Sequence, residues 1–92
     1  MATTRRRREK RLAEKIEKAR ARLELYERRE AEILSGGVQS YGIGSRNLSR
    51  YQADLAEVRR AIGELTEEID GLEAQLAGDA VRAAFAVVPM DF

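Results

Sequence analysis

The chain has 92 residues, of which 36% are charged and only 5% aromatic, so it can bury no more than the thin core of one small domain. It contains no cysteine, histidine or tryptophan, which excludes thiol nucleophiles, imidazole bases, disulfides and zinc sites built from nitrogen or sulfur ligands. The net charge of +1 conceals an asymmetry, because residues 1–11 carry +5 and the rest of the chain carries −4.

Residues 1–11 form a basic N-terminal arm. Its excess positive charge predicts contact with DNA phosphates or with an acidic protein surface. No aromatic residues are interleaved with the cations, which argues against readout of base sequence. Because a helix dipole disfavours cations at its N-terminus, we expect an extended arm rather than an ordered first turn. The candidate contact residues are Arg5, Arg6, Arg7, Arg8, Lys10 and Arg11.

Two helical stripes follow the arm and predict one domain over residues 12–78. In each stripe the apolar residues recur at alternating steps of three and four, with Glu30 occupying the one missing place in the first stripe. The second stripe is as narrow as a coiled-coil seam. The first helix is expected from near Thr4 to the Gly36-Gly37 pair, and the second from Ser49 to Gly78. Their similar lengths predict an antiparallel helix pair. The stripes are Leu12, Ile16, Ala19, Leu23, Tyr26 and Ile33, then Leu48, Tyr51, Leu55, Val58, Ile62, Leu65, Ile69, Leu72 and Leu76.

The connector SGGVQSYGIGSRNLS, residues 35–49, predicts a small β-hairpin. A turn at Gly44-Ser45 would place Tyr41 opposite Leu48 as a cross-strand apolar pair, and Ser49 would cap the second helix. The expected fold class is therefore α+β and mostly α: two antiparallel amphipathic helices joined by a small β-hairpin. The residues expected to define the hairpin are Tyr41, Ile43, Gly44, Arg46, Leu48 and Ser49.

Residues 79–92 are more apolar than the chain before them and predict a C-terminal docking tail. Helical spacing favours a short helix, whereas the residue before Pro89 favours extended backbone, so both conformations stay open. The residues expected to dock on a partner are Val81, Phe85, Val87, Val88, Pro89 and Phe92.

No constellation in the sequence points to catalysis. Gly42-Ile43-Gly44 lacks the third glycine and the βαβ context of a dinucleotide site. Glu67 and Glu68 are neighbours on a helix and point apart, with no pocket to shift their pKa. We therefore expect no enzyme activity, no catalytic residues, no cofactor and no metal. The absence of a signal segment and of a long apolar run predicts a soluble, cytoplasmic protein without a membrane partner.

Residues 39–65, QSYGIGSRNLSRYQADLAEVRRAIGEL, resemble the small phage head-to-tail joining proteins of the gpW type. The family core is Q-S-Y-x-I-G-x-R-x-L-[ST]-R followed by a leucine-rich helix, whereas the Met90-Asp91-Phe92 ending departs from the more basic endings of the family. The matching positions are Gln39, Ser40, Tyr41, Ile43, Gly44, Arg46, Leu48, Ser49 and Arg50, followed by Asp54, Leu55, Arg59 and Arg60.

The resemblance implies a structural role in the virion, at the junction of capsid and tail. Copies would assemble in the host cytoplasm as a twelvefold homo-oligomeric ring on the portal protein, extend the DNA channel and offer a platform to the next neck or tail protein. Contact with packaged DNA would be non-specific. The alternative from the residues alone is a free helical-hairpin dimer that binds DNA non-specifically through its basic arm.

Overall fold

The computed structural model describes the backbone of residues 2–87 and the side chains of residues 4–81. Helix α1 spans Ala2–Gly36, a short 3-10 helix spans Val38–Tyr41, and helix α2 spans Ser45–Val87. At 1.5 Å per residue, α1 is about 52 Å long and α2 about 65 Å. The two helices pack antiparallel as a rod measuring 73 × 24 × 16 Å. We call residues 37–44, which join the helices at one end of the rod, the tip.

The predicted apolar stripes form the seam between the helices. Leu12, Ile16, Ala19 and Ile33 of α1 are buried, and at the centre of the seam Ala19 packs with Leu65 and Ile69 of α2. Two stripe positions lie outside it, because Tyr26 and Leu48 keep 41% and 43% of their surface exposed. The alternation of three and four therefore predicted the packing face of both helices, with Tyr26 and Leu48 as the exceptions. The buried α2 residues are Val58, Leu65 and Ile69.

Ion pairs between the helices hold the register of the seam. Arg59 Nε lies 3.0 Å from Glu30 Oε2 near the tip, and Arg20 donates to Glu73 farther down the rod. Both pairs are partly exposed, so each contributes little to the stability, about 0–1 kcal/mol. Together the two pairs show which levels of α1 and α2 face one another.

The β-hairpin predicted for the connector is wrong. Within residues 2–87 there is no strand, and the fold over these residues is a helical hairpin. The expected Gly44-Ser45 turn is replaced by the start of α2 at Ser45, where the Leu48 amide donates to the Gly44 carbonyl over 3.1 Å. Asn47 Nδ2 donates to the carbonyl of Ile43, also over 3.1 Å. Ser49 consequently lies inside α2 and does not cap it.

The predicted helix ends also need correction. The expected extended arm is wrong, because α1 begins at Ala2 and carries the basic arm within it. The end expected at Gly78 is wrong too, because α2 continues through Gly78 to Val87. A long-range contact explains both differences: Asp79 is 5% exposed, and its Oδ2 lies 3.0 Å from Nε of Arg8. This pair joins the two segments that the sequence assigned to separate tails.

Candidate functional site

The six cations of the basic arm fall into two groups. Arg8 pairs with Asp79 of α2, and Arg5 pairs with Glu9 one turn away over 3.9 Å. The remaining four are exposed and make no ion pair with any residue that the structure describes. Arg5 and Arg8 thus have acidic partners within the chain, while the other four cations stay open to an external anion. These four are Arg6, Arg7, Lys10 and Arg11.

The tip is shaped by three glycines with positive φ. Gly37 has φ +66°, Gly42 +98° and Gly44 +125°, values that only glycine adopts without strain. The Gly37 amide donates to the Ile33 carbonyl over 3.0 Å and closes the end of α1. A Cβ at Gly42 would lie 2.9 Å from Asn47 Nδ2, so a side chain there would displace the Asn47 amide in addition to straining the backbone. The tip is therefore a defined turn and not a flexible linker.

Tyr41 fastens the tip to α2. Its hydroxyl donates to Asp54 Oδ2 over 2.8 Å, and its ring meets Tyr51 edge-on, with centroids 5.7 Å apart and planes at 81°. The predicted pairing of Tyr41 with Leu48 is wrong, because Tyr41 instead contacts residues one and two turns farther along α2. The hydrogen bond to Asp54 is the main cause that raises the pKa of Tyr41 above its ordinary value of 10.0, with burial second. Arg29 and Arg50 act in the opposite direction.

The Tyr41 hydroxyl provides a direct test of this contact. We expect Tyr41→Phe to lower the melting temperature by a few degrees at neutral pH, because Asp54 loses its donor. Since the folded-state pKa is raised, the stabilisation is fully present below pH 10 and is lost as the pH rises through the folded value. The stability difference between the wild type and Tyr41→Phe should therefore shrink in strongly alkaline buffer.

Tyr26 supplies the matched control for that measurement, since it is 41% exposed. Tyr26→Phe should leave the melting temperature unchanged at neutral pH. Thermal denaturation followed by circular dichroism checks both variants. Equal melting curves for Tyr41→Phe and the wild type at neutral pH would contradict the fastening role of the hydroxyl.

The other residues expected to define the connector lie on the outside of the rod. Ile43 is fully exposed, at 102%, because the turn between Gly42 and Gly44 lifts it away from both helices. Arg46, Leu48 and Ser49 are exposed on the first turns of α2. With Val38, the exposed Ile43 and Leu48 line a shallow apolar depression at the end of the rod. The connector thus presents side chains outward instead of closing the seam.

Of the expected docking residues, Val81 has a described side chain and is 53% exposed on α2. Phe85 and Val87 lie on the last turns of α2. Val88, Pro89 and Phe92 lie outside the described residues. The structure therefore places the first half of the predicted tail on a continuous helix.

A shallow polar pocket lies beside Tyr41, and its lining includes two cations, Arg29 and Arg50, and two acids, Glu32 and Asp54. Opposite charges offset one another there. Over the described part of the chain, no three acidic side chains approach closely enough to hold a metal ion. Over the same residues, neither helix has a stretch long and apolar enough to span a bilayer.

Comparison with protein-family models matches residues 4–92 to a family of unknown function, DUF6148. The chain belongs to the DUF6148 family. The match covers the arm, the tip and the C-terminal residues, so the family model includes all three segments. No curated protein and no solved structure matched the chain.

Two features of this DUF6148 chain were missed from the sequence. The hydrogen bond from Tyr41 to Asp54 could have been predicted, because Asp54 follows Tyr51 by three residues and therefore lies on nearly the same side of α2. No pattern in the sequence indicated the burial of Asp79, because the Gly78-Asp79 pair is typical of a helix end. The site that emerges consists of three surfaces: the four open cations of the arm, the tip with Ile43, and the end of α2 with Val81.

Proposed function

We propose that this DUF6148 protein is a structural subunit of the head-to-tail connector of a tailed bacteriophage. It would assemble as a ring on the portal at the capsid–tail junction and extend the DNA channel. The observation that carries the proposal is the segment of residues 39–65, whose QSYGIGSR core matches the gpW-type pattern. The β-hairpin of that family is not formed here over residues 2–87. The proposal therefore depends on the sequence motif and on the geometry of the tip that the motif residues form.

The geometry of the tip supports the proposal. Tyr41 is held by Asp54 and Tyr51, and the positive φ angles of Gly42 and Gly44 place Ile43 fully outside the rod. A fixed turn that presents an aliphatic side chain to solvent is suited to contact with another protein, because little conformational entropy remains to be lost on binding. The matching motif residues therefore have a use at an interface.

The docking role of the C-terminal residues is tested with purified portal rings and the full chain. We expect the wild type to co-sediment with the portal protein encoded by the same genome, and a chain ending at Ala80 to lose that binding. Val81→Asp tests the same surface with a single change, and Leu34→Asp is its control because Leu34 is a comparably exposed aliphatic residue, at 47% against 53%. Portal binding retained by both the shortened chain and Val81→Asp would contradict the docking assignment.

A second candidate function is non-specific DNA binding through the arm. Four arm cations, Arg6, Arg7, Lys10 and Arg11, are exposed and without an ion pair in the described chain, which favours contact with a phosphate backbone. We expect binding to short duplex DNA that weakens steeply with salt and disappears when residues 1–11 are removed. Absence of binding at low salt would contradict it.

A further inference from the structure

A groove on one side of the rod has banks of opposite charge. Arg22 and Tyr26 of α1 line one bank, and Glu64 and Glu68 of α2 line the other, with Ala61 and Leu65 between them. Lys15 and Lys18 precede Arg22 by seven and four residues, so they extend the basic bank along the same side of α1. All five charged residues are exposed, and none forms an ion pair within the described chain. The two banks thus carry separated charge that the fold itself leaves uncompensated.

Apolar surface accompanies these charges. Tyr26 is 41% exposed at the groove, and Leu25, three residues after Arg22, is 61% exposed. The accessible surface of the chain is 7367 Å², whereas a compact protein of 10.4 kDa exposes about 5,400 Å². The excess of about 2,000 Å² reflects the elongated shape of the rod. The groove therefore combines charged residues with exposed apolar residues beside them.

We propose that two copies of this chain pair through this groove as a parallel dimer. Two face-to-face arrangements have two-fold symmetry. If the two-fold axis runs across the rod, the two copies point in opposite directions and α1 faces α1 of the second copy. The two basic banks then face each other. If the axis runs along the rod, the two copies point in the same direction and α1 of each copy faces α2 of the other at the same level. Each basic bank then faces an acidic bank.

The charge pattern selects the second arrangement. The level of the banks is fixed within each copy by the packing of Ala19 with Leu65 and Ile69, so both contacts form simultaneously. In the resulting dimer the two tips lie at the same end. The inference concerns the free chain and does not depend on the proposed connector function. Portal binding is measured separately, so the failure of one leaves the other standing.

The first test is the mass of the purified full chain in sedimentation equilibrium. We expect a dimer at low ionic strength and weaker association as salt is added, because exposed charge pairs are screened. A chain that is monomeric at every salt concentration and protein concentration, or that forms assemblies larger than dimers, overturns the proposal.

Charge reversal tests which residues form the contact. Glu64→Lys with Glu68→Lys makes both banks basic and should weaken the dimer at least about tenfold. Adding Lys18→Glu and Arg22→Glu to the same chain exchanges the charges of the facing residues, keeps the net charge of the wild type, and should restore the dimer. Glu27→Lys with Asp70→Lys changes the charge equally at exposed positions that do not line the groove and should leave the dimer intact. A dimer unaffected by the first pair of changes, or not restored by the four, contradicts the assignment.

Orientation is measured independently of these variants. The chain has no cysteine, so Ile43→Cys places a single spin label at each tip. A parallel dimer predicts a tip-to-tip distance no greater than about the 24 Å width of the rod. The reversed arrangement predicts about twice the separation of the groove from the tip, which is roughly 40 Å or more at 1.5 Å per residue. Short distances support the proposal, and long ones overturn it even if the chain is dimeric.

Discussion

Ile69→Ala is expected to lower the free energy of unfolding by about 2–5 kcal/mol, the usual cost of emptying a buried aliphatic site. Ile69 is 6% exposed and packs with Ala19 and Leu65 at the centre of the seam. A two-helix rod has no second layer that could close around the cavity. Because small domains are stable by only about 5–15 kcal/mol, this one change should remove much of the cooperative transition. Urea denaturation followed by circular dichroism measures it.

Ile43 provides a control with the same chemistry. It is fully exposed at the tip, so Ile43→Ala should change the free energy of unfolding by no more than about 0.5 kcal/mol. The pair of variants compares the same residue type at a buried and at a fully exposed position. Similar losses of stability at both positions would contradict the packing of the seam.

Arg8→Ala is expected to lower the free energy of unfolding by about 1–3 kcal/mol. Removing one partner of a fully buried ion pair costs about 3–5 kcal/mol, because the other charge stays buried and uncompensated. The expected value is smaller here because Arg8 is itself 56% exposed and because Asp79 has a further interaction. The change should also loosen the first turns of α1 and the last turns of α2 together.

Arg7→Ala is the matched control, since Arg7 is exposed beside Arg8 and makes no ion pair within the described residues. It should alter the unfolding free energy by less than about 0.5 kcal/mol. Hydrogen exchange followed by mass spectrometry distinguishes the two variants locally. Protection that falls at both ends in Arg8→Ala alone supports the Arg8–Asp79 contact, and equal protection in both variants contradicts it.

The seam was predictable because it obeys a local rule. Leu12, Ile16 and Ala19 follow each other at steps of four and three, so one side of α1 is apolar wherever the helix continues. The same spacing brought Leu65 and Ile69 to the facing side of α2. The burial of such positions can be predicted from the sequence alone, because residues three and four apart lie on the same side of a helix.

The tip was not predictable in the same way. Gly42 and Gly44 adopt the positive φ angles that a hairpin turn also needs, so the glycines did not distinguish a β-turn from the junction of two helices. The alternation of Gln39, Tyr41 and Ile43 covers only five residues, too few to separate a strand from a 3-10 turn. Hydrogen bonds from Leu48 and Asn47 back to the Gly44 and Ile43 carbonyls decided in favour of helix.

The two ends of the chain depend on each other, which is why neither was predicted correctly. A run of cations disfavours a helix start, and Gly78-Asp79 favours a helix end. Each tendency is local and correct for an isolated segment. The ion pair of Arg8 with Asp79 brings the two segments together, and tertiary contact then overrides both. For the candidate site, the sequence thus identified the cations of the arm but not that one of them, Arg8, pairs with an acid on the other helix.

The most direct test of the connector function is cryo-electron microscopy of the capsid–tail junction in virions of the phage that encodes this chain. The proposal predicts a ring of two-helix rods on the portal, each with the 73 Å length of the free chain and with the end of α2 against a neighbouring protein. A junction fully accounted for by other proteins, with no density for this chain, would contradict it.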